Sequence, residues 1–163
     1  MKILLEDVSA FVFDFDGVLT NNTVQVDEHG NESVTCNRSD GLAFDVLHKL
    51  NQSVFILSTE KNSVVAVRAK KLNTAVIYGT KNKVESLISL AREKGFEFEK
   101  ILYIGNDLND YQVMKKCGYK LCPSDAHNTI KKISDLVLQS QGGDGVIREL
   151  VEDVLLIDMV KIL

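Results

Sequence analysis

Short apolar runs alternate along this chain with longer segments whose apolar residues recur at spacings of three and four, and that alternation leaves few folds open. The runs Ala10–Phe15, Ser53–Leu57, Ala75–Tyr78, Lys100–Ile104, Tyr119–Cys122 and Leu136–Leu138 read as strands. The first and fourth are the most apolar and are expected at the centre of the sheet. Between them, Gly41–Leu50, Ser63–Leu72, Lys81–Lys94, Leu108–Lys116 and Ala126–Ile133 read as helices. Strand and helix in turn specify a parallel sheet covered by crossover helices, an α/β layered fold. One stretch breaks the rhythm. In Thr23–Cys36, Val24, Val26, Val34 and Cys36 alternate with polar residues around Glu28-His29-Gly30-Asn31, which predicts a β-hairpin inserted after the first strand.

At 163 residues, 45% of them hydrophobic, the chain is expected to be one domain, 1–163, with a sizeable core. Its sole proline is Pro123 and it has no low-complexity stretch, so no linker is expected. Nineteen basic against twenty-three acidic residues give a net charge of -4, which repels nucleic acid and anionic lipid. Cys36, Cys117 and Cys122 form no C-x-x-C unit, which suits a reducing compartment. The apolar start meets Glu6 and Asp7 too early for a secretion signal, and no apolar run approaches the ~20 residues of a membrane span. The expectation is a cytoplasmic protein with no nucleic-acid or membrane partner. In the tail, about 140–163, Gly142-Gly143-Asp144-Gly145 reads as a mobile loop before an amphipathic segment from Val146 to about Leu156.

The chemistry concentrates in Phe13-Asp14-Phe15-Asp16-Gly17-Val18-Leu19-Thr20. Two carboxylates stand where an apolar strand ends, the place where open α/β sheets bind ligands. Buried carboxylates are costly unless paired or bound to a cation, so Asp14 and Asp16 ask for one. Magnesium takes all-oxygen ligands and leaves room for a substrate phosphate.

This motif resembles the D-x-D-G-x-[TV] signature of the haloacid dehalogenase superfamily, and its other three motif positions follow in order. Ser58, after Val54–Leu57, matches the Ser or Thr that holds the phosphoryl group, although a helix N-cap explains it equally well. Lys83 matches the lysine that steadies nucleophile and phosphate; alone it reads as a surface lysine. Gly105-Asn106-Asp107-Leu108-Asn109-Asp110 matches the acidic metal loop, with Asn106 where the superfamily has an aspartate. Either Asn106 or Asp107 then completes the ligand set with Asp14 and Asp16, and Asn109 and Asp110 fall where outer groups orient metal waters. The resemblance implies a Rossmann-like, three-layer fold and a magnesium-dependent phosphatase. Asp14 would be the nucleophile and Asp16 the acid and then the base.

No large cap domain is present; the hairpin at about 23–36 stands in its place. This is similar to the capless subgroup that dephosphorylates 2-keto-3-deoxy sugar acid phosphates, whose members are tetramers with paired hairpins, and to a domain fused to cytidylyltransferases that activate sialic acids. Octulosonate 8-phosphate phosphatases of the subgroup have Thr-Gly-Arg after the second strand. Here the residues are Ser58-Thr59-Glu60, which look like the enzymes of nine-carbon acid 9-phosphates. A nine-carbon substrate is therefore expected, with octulosonate 8-phosphate or a non-catalytic assembly role as alternatives. Thr59 and Glu60 are candidate substrate contacts. Arg68 and Lys71 share a helix face that suits a substrate carboxylate or is simply solvated, and Arg38 and Arg148 are further anion contacts. A two-component receiver domain also combines aspartates, magnesium and lysine on such a sheet. Its phosphorylated aspartate and acidic pair lie on different strands, unlike Asp14-Phe15-Asp16.

Overall fold

The computed structural model describes residues 2–163. Six parallel strands, β1 (Ala10–Phe13), β4 (Val54–Leu57), β5 (Ala75–Ile77), β6 (Ile101–Ile104), β7 (Tyr119–Cys122) and β8 (Leu136–Val137), form one sheet in the order β5-β4-β1-β6-β7-β8. β1 and β6, the most apolar, lie at its centre with every residue buried. A strand covered on both faces is apolar on both, and β1 shows how. Phe11 and Phe13 enter one core with α1 (Arg38–Lys49), α2 (Val64–Lys71) and α6 (Val146–Glu149); Ala10 and Val12 enter the other with α3 (Lys83–Lys94), α4 (Tyr111–Met114) and α5 (Asn128–Ile133). The ring of Phe44 on α1 meets that of Phe13 edge to face at 5.6 Å. Parallel pairing puts Phe13 beside Ile56 and Ile104, so β1, β4 and β6 release their chains at one edge.

Several boundaries differ from the sequence reading. β1 ends at Phe13 rather than Phe15, because the Phe15 N–H donates to the Asp14 carboxylate at 2.7 Å instead of continuing the ladder. α1 begins at Arg38, ahead of the expected Gly41, because the Asn37 side chain accepts the Ser39 N–H at 2.8 Å and caps it. The helix expected over Leu108–Lys116 is a capped 3₁₀ turn, Leu108–Asp110, followed by the short α4. In the hairpin only β2 (Gln25–Val26) and β3 (Glu32–Ser33) pair, and a Thr20–Cys36 bridge closes its base. Val34 and Cys36 pack on the core, whereas Val24 and Val26 are exposed.

The Gly142–Gly145 loop, expected from its composition to be mobile, is hydrogen-bonded to the body of the protein. The Gly142 N–H donates to Asp125 Oδ1 at 2.9 Å and the Gly143 N–H to the Val18 carbonyl at 3.0 Å. A Cβ at Gly142 would fall on the Gly17 carbonyl, so the absence of side chains is what lets this loop lie on the loop after Asp16. Beyond it, α6 runs into a π-helical turn, Leu150–Val154, and α7 (Met159–Ile162) ends the chain. Among the described residues no helix is long and apolar enough to cross a membrane.

Asp40 ties α1 to this tail: its Oδ1 accepts the N–H groups of Ile147 at 2.9 Å and Arg148 at 3.0 Å, and its Oδ2 is buried without a partner among the described residues. Burial pushes the carboxyl up to about 6 against the pull of those two donors and Arg68. A folded value above the unfolded one means the native state holds the extra proton. Asp40 thus favours folding below about pH 4 and loses that contribution as pH rises through 6, by up to about 3 kcal/mol. We expect the stability difference between Asp40→Asn and wild type to move in favour of the variant from pH 4 to 7 in paired thermal melts; parallel pH profiles would refute this.

Candidate active site

The shared exit of the central strands gathers the chemistry. Asp14 and Asp16 after β1, Ser58 and Thr59 after β4, and Asn106, Asp107 and Asn109 after β6 line a cavity of about 280 Å³ together with Asn22. Each group sits there because its strand ends there, as open parallel sheets require.

Lys83 closes the floor. It begins α3, whose first N–H groups are capped by the Asn82 side chain, and its stem is buried. Its ammonium lies 2.7 Å from Asp14 Oδ1 and 2.7 Å from Asp110 Oδ1. Burial disfavours that charge, but Asp14 and Asp110 outweigh it and leave Lys83 above its usual range, fully protonated. Asp110 is saturated: Oδ1 also accepts the Tyr103 hydroxyl at 2.8 Å, and Oδ2 accepts the N–H groups of Asn106 at 3.0 Å and Asp107 at 3.4 Å. Both of its oxygens, expected to orient metal waters, are thus engaged by protein donors. Asp110 holds Lys83 and shapes the 106–110 loop. Burial, then the Asp110 charge, push Asp14 well above the ordinary carboxylate range, with Lys83 opposing. Both Lys83 and the Phe15 N–H bind Asp14 Oδ1, so Oδ2 carries neither contact.

Asp16 is only half-buried. Its carboxyl is also raised, first by burial and then by the Glu60 charge, against a weak hydrogen bond from Thr20. A carboxyl held toward its protonated form is suited to donate a proton. Gly17 follows with φ +78°, and a Cβ there would fall on the Asn106 amide, so this turn admits only glycine.

That amide answers whether a cation fits. Asn106 Oδ1 is buried and has no hydrogen-bond partner among the described residues, which is costly in a protein-only environment. Asp107, by contrast, is exposed and spends its Oδ1 on the Leu108 N–H at 2.7 Å. Asp14, Asp16 and Asn106 make an all-oxygen set around one cavity, which suits magnesium.

The other sequence candidates divide. Asn109 Nδ2 reaches Thr59 Oγ1 at 3.4 Å across the cavity rim. Glu60 lines an adjoining cavity of about 280 Å³ that shares Asp16 and Asn22 with the first. Arg38, Arg68 and Lys71 are not brought to Asp14. They line a separate cavity with Asp45, and Arg68 Nη2 donates to the Asn37 carbonyl at 2.9 Å. Arg148 is not brought to Asp14 either: it lines another cavity, and its Nε pairs with Glu152 one helical turn on. Both displacements arise because α2 and the tail pack on the layer led by α1. The sequence reading missed Tyr103, Asn22 and the Gly142–Gly143 contact. Tyr103 hid because, in an apolar strand, a buried tyrosine reads as core.

The family model for haloacid dehalogenase-like hydrolases matches residues 42–150. The chain is 30% identical, over 93% of its own length and 81% of the relative's, to the 3-deoxy-D-manno-octulosonate 8-phosphate phosphatase KdsC of Salmonella typhi. Against a solved structure from Streptomyces avermitilis, described as a HAD family hydrolase, it superposes with a TM-score of 0.94 at 37% identity over 98% of both chains. Against the octulosonate 8-phosphate phosphatase of Moraxella catarrhalis, solved with magnesium, phosphate and KDO, the TM-score is 0.87 at 27% identity, covering 91% of this chain and 86% of that one.

Proposed function

This chain belongs to the haloacid dehalogenase-like hydrolases, and from that membership we propose a magnesium-dependent phosphomonoesterase that acts on a 2-keto-3-deoxy sugar acid phosphate through an aspartyl-phosphate intermediate. The observation that carries the reading is the buried Asp14–Lys83–Asp110 cluster beneath a cavity lined by Asp16, Ser58 and Asn106.

Asp14 attacks phosphorus through Oδ2 while Lys83 and the Phe15 N–H hold its other oxygen. Asp16 protonates the departing alkoxide and then takes a proton from the water that hydrolyses the acyl phosphate. The Ser58 hydroxyl oxygen accepts the Glu60 N–H at 3.1 Å, which leaves its hydrogen for a phosphoryl oxygen. Asp14, Asp16 and Asn106 would hold magnesium, which would supply positive charge to offset the repulsion between nucleophile and phosphate dianion. Because Asn106 contributes no charge, we expect Asn106→Asp to bind magnesium about tenfold more tightly in calorimetric titration, and Asp107→Ala to leave binding nearly unchanged. The reverse pattern would make Asp107 the ligand.

The named relatives favour octulosonate 8-phosphate as substrate over the nine-carbon acid that Glu60 suggests. Turnover of both esters by the same preparation ranks them; activity on neither, with activity on an aryl phosphate, removes the sugar-acid assignment. The basic cavity of Arg38, Arg68 and Lys71 is a candidate carboxylate contact only across a subunit boundary, since it is separate from the Asp14 cavity. Exposed Val24 and Val26 on the hairpin support assembly through that element, and a tetramer is the proposed form. Light scattering at micromolar concentration tests it: a fully active monomer contradicts it.

A further inference from the structure

The cavity beyond Asp16 has its own chemistry. Three carboxylates, Asp16, Glu32 and Glu60, line it between the apolar walls of Val24, Val34 and Val64, and no basic side chain is among its lining residues. Because it shares Asp16 and Asn22 with the Asp14 cavity, an ester whose phosphate sits at Asp14 places its leaving group here. Asn62 fixes both glutamates. Its backbone N–H donates to Glu60 Oε1 at 2.7 Å, its Nδ2 donates to Glu32 Oε2 at 3.0 Å, and its Oδ1 accepts the Val64 N–H at 3.0 Å. Those bonds engage one oxygen of each carboxylate and aim the pair at the cavity, so Glu32, on the hairpin, is held in register with the body of the protein. Both glutamates also act on Asp16, raising its carboxyl, which places their charges within reach of the reacting end.

The geometry points to Glu32 as a specificity-determining residue: with Glu60 it forms a leaving-group seat that accepts hydrogen bonds from hydroxyl or ammonium groups and rejects a carboxylate near the phosphate. This rests on the phosphatase reading of the Asp14 cavity. Carboxylates accept hydrogen bonds and cannot donate them when ionised, so a polyhydroxyl chain satisfies the seat and a second anion does not. An octulosonate 8-phosphate is compatible, because its carboxylate is at the opposite end of the carbon chain from its phosphate. A short phosphorylated acid is not.

Glycerol 3-phosphate and 3-phosphoglycerate test this directly, since they differ by a hydroxymethyl against a carboxylate at one carbon. We expect wild type to favour glycerol 3-phosphate by about tenfold in kcat/KM, Glu32→Gln to reduce the preference to about threefold, and Glu32→Lys to reverse it. Glu32 is exposed on the hairpin, so neither substitution is expected to disturb folding, which circular dichroism of both variants checks. A wild-type preference within twofold, or one unchanged by both substitutions, overturns the seat. With p-nitrophenyl phosphate turned over normally, that result leaves the phosphatase reading standing. Failure to hydrolyse all three esters and octulosonate 8-phosphate alike overturns that reading and the seat with it.

Discussion

Asp14→Asn is expected to abolish turnover while leaving the protein at least as stable as wild type. The two expectations have one cause. Asp14, Lys83 and Asp110 form one buried cluster, in which burial and the Asp110 charge disfavour the Asp14 carboxylate. Replacing it with the isosteric amide removes the disfavoured carboxylate and leaves Lys83 paired with Asp110 at 2.7 Å. An amide oxygen still accepts the Phe15 N–H and the Lys83 ammonium, so packing survives. What is lost is the nucleophile, and no neighbour substitutes for it: Asp16 lacks the Lys83 and Phe15 N–H contacts that hold Asp14, and Asp110 has both oxygens engaged. A fall in kcat of about 10⁴-fold or more is expected on any phosphate ester, a scale seen when a nucleophile is deleted. Activity within tenfold of wild type at an unchanged melting temperature would refute the mechanism.

Lys83→Met is expected to have the larger effect on folding. It leaves two buried carboxylates without their shared cation, and breaking a buried ion pair costs about 3–5 kcal/mol. At ~2–4 °C per kcal/mol for a chain of this size, the melting temperature should fall by about 10 °C. The loss should depend on pH in a defined sense. Without Lys83, burial and mutual repulsion hold the Asp14 carboxyl above its unfolded value, so the folded variant retains a proton that the unfolded chain releases. Its stability is then present at low pH and lost as pH rises, and the deficit against wild type should widen between pH 5 and 8. Turnover should fall at least ~100-fold at every pH, since Asp14 loses both its orientation and the charge that offsets the incoming dianion. Equal melting temperatures for variant and wild type at pH 8 would show that Lys83 does not hold the cluster.

Much of the site was legible because it sits on strand ends. Once alternating apolar runs specify a parallel sheet, Asp14, Ser58 and Asn106 must emerge at one edge, whatever the details of the loops. Asn106 and Asp107 were indistinguishable in sequence; only the fold left the buried Asn106 side-chain oxygen without a partner among the described residues and committed its neighbour to a helix cap. Arg68 and Lys71 show the opposite limit. Helical spacing placed both on one helix face, but spacing does not say which layer that face meets, and α2 packs so that they open into another cavity.

The sequence by itself determined the layered fold, the central strands and the strand-end carboxylates, because these follow from local periodicity and from the cost of burying charge. Tertiary structure alone decided the contacts between residues far apart in the chain. Tyr103, Lys83 and Asp14 converge on one charge cluster through Asp110, Asn62 joins the hairpin to the body, and Gly142 lies on Gly17. Each requires two segments to approach within hydrogen-bond or backbone contact distance, and that approach is set by how the layers pack rather than by any local residue pattern.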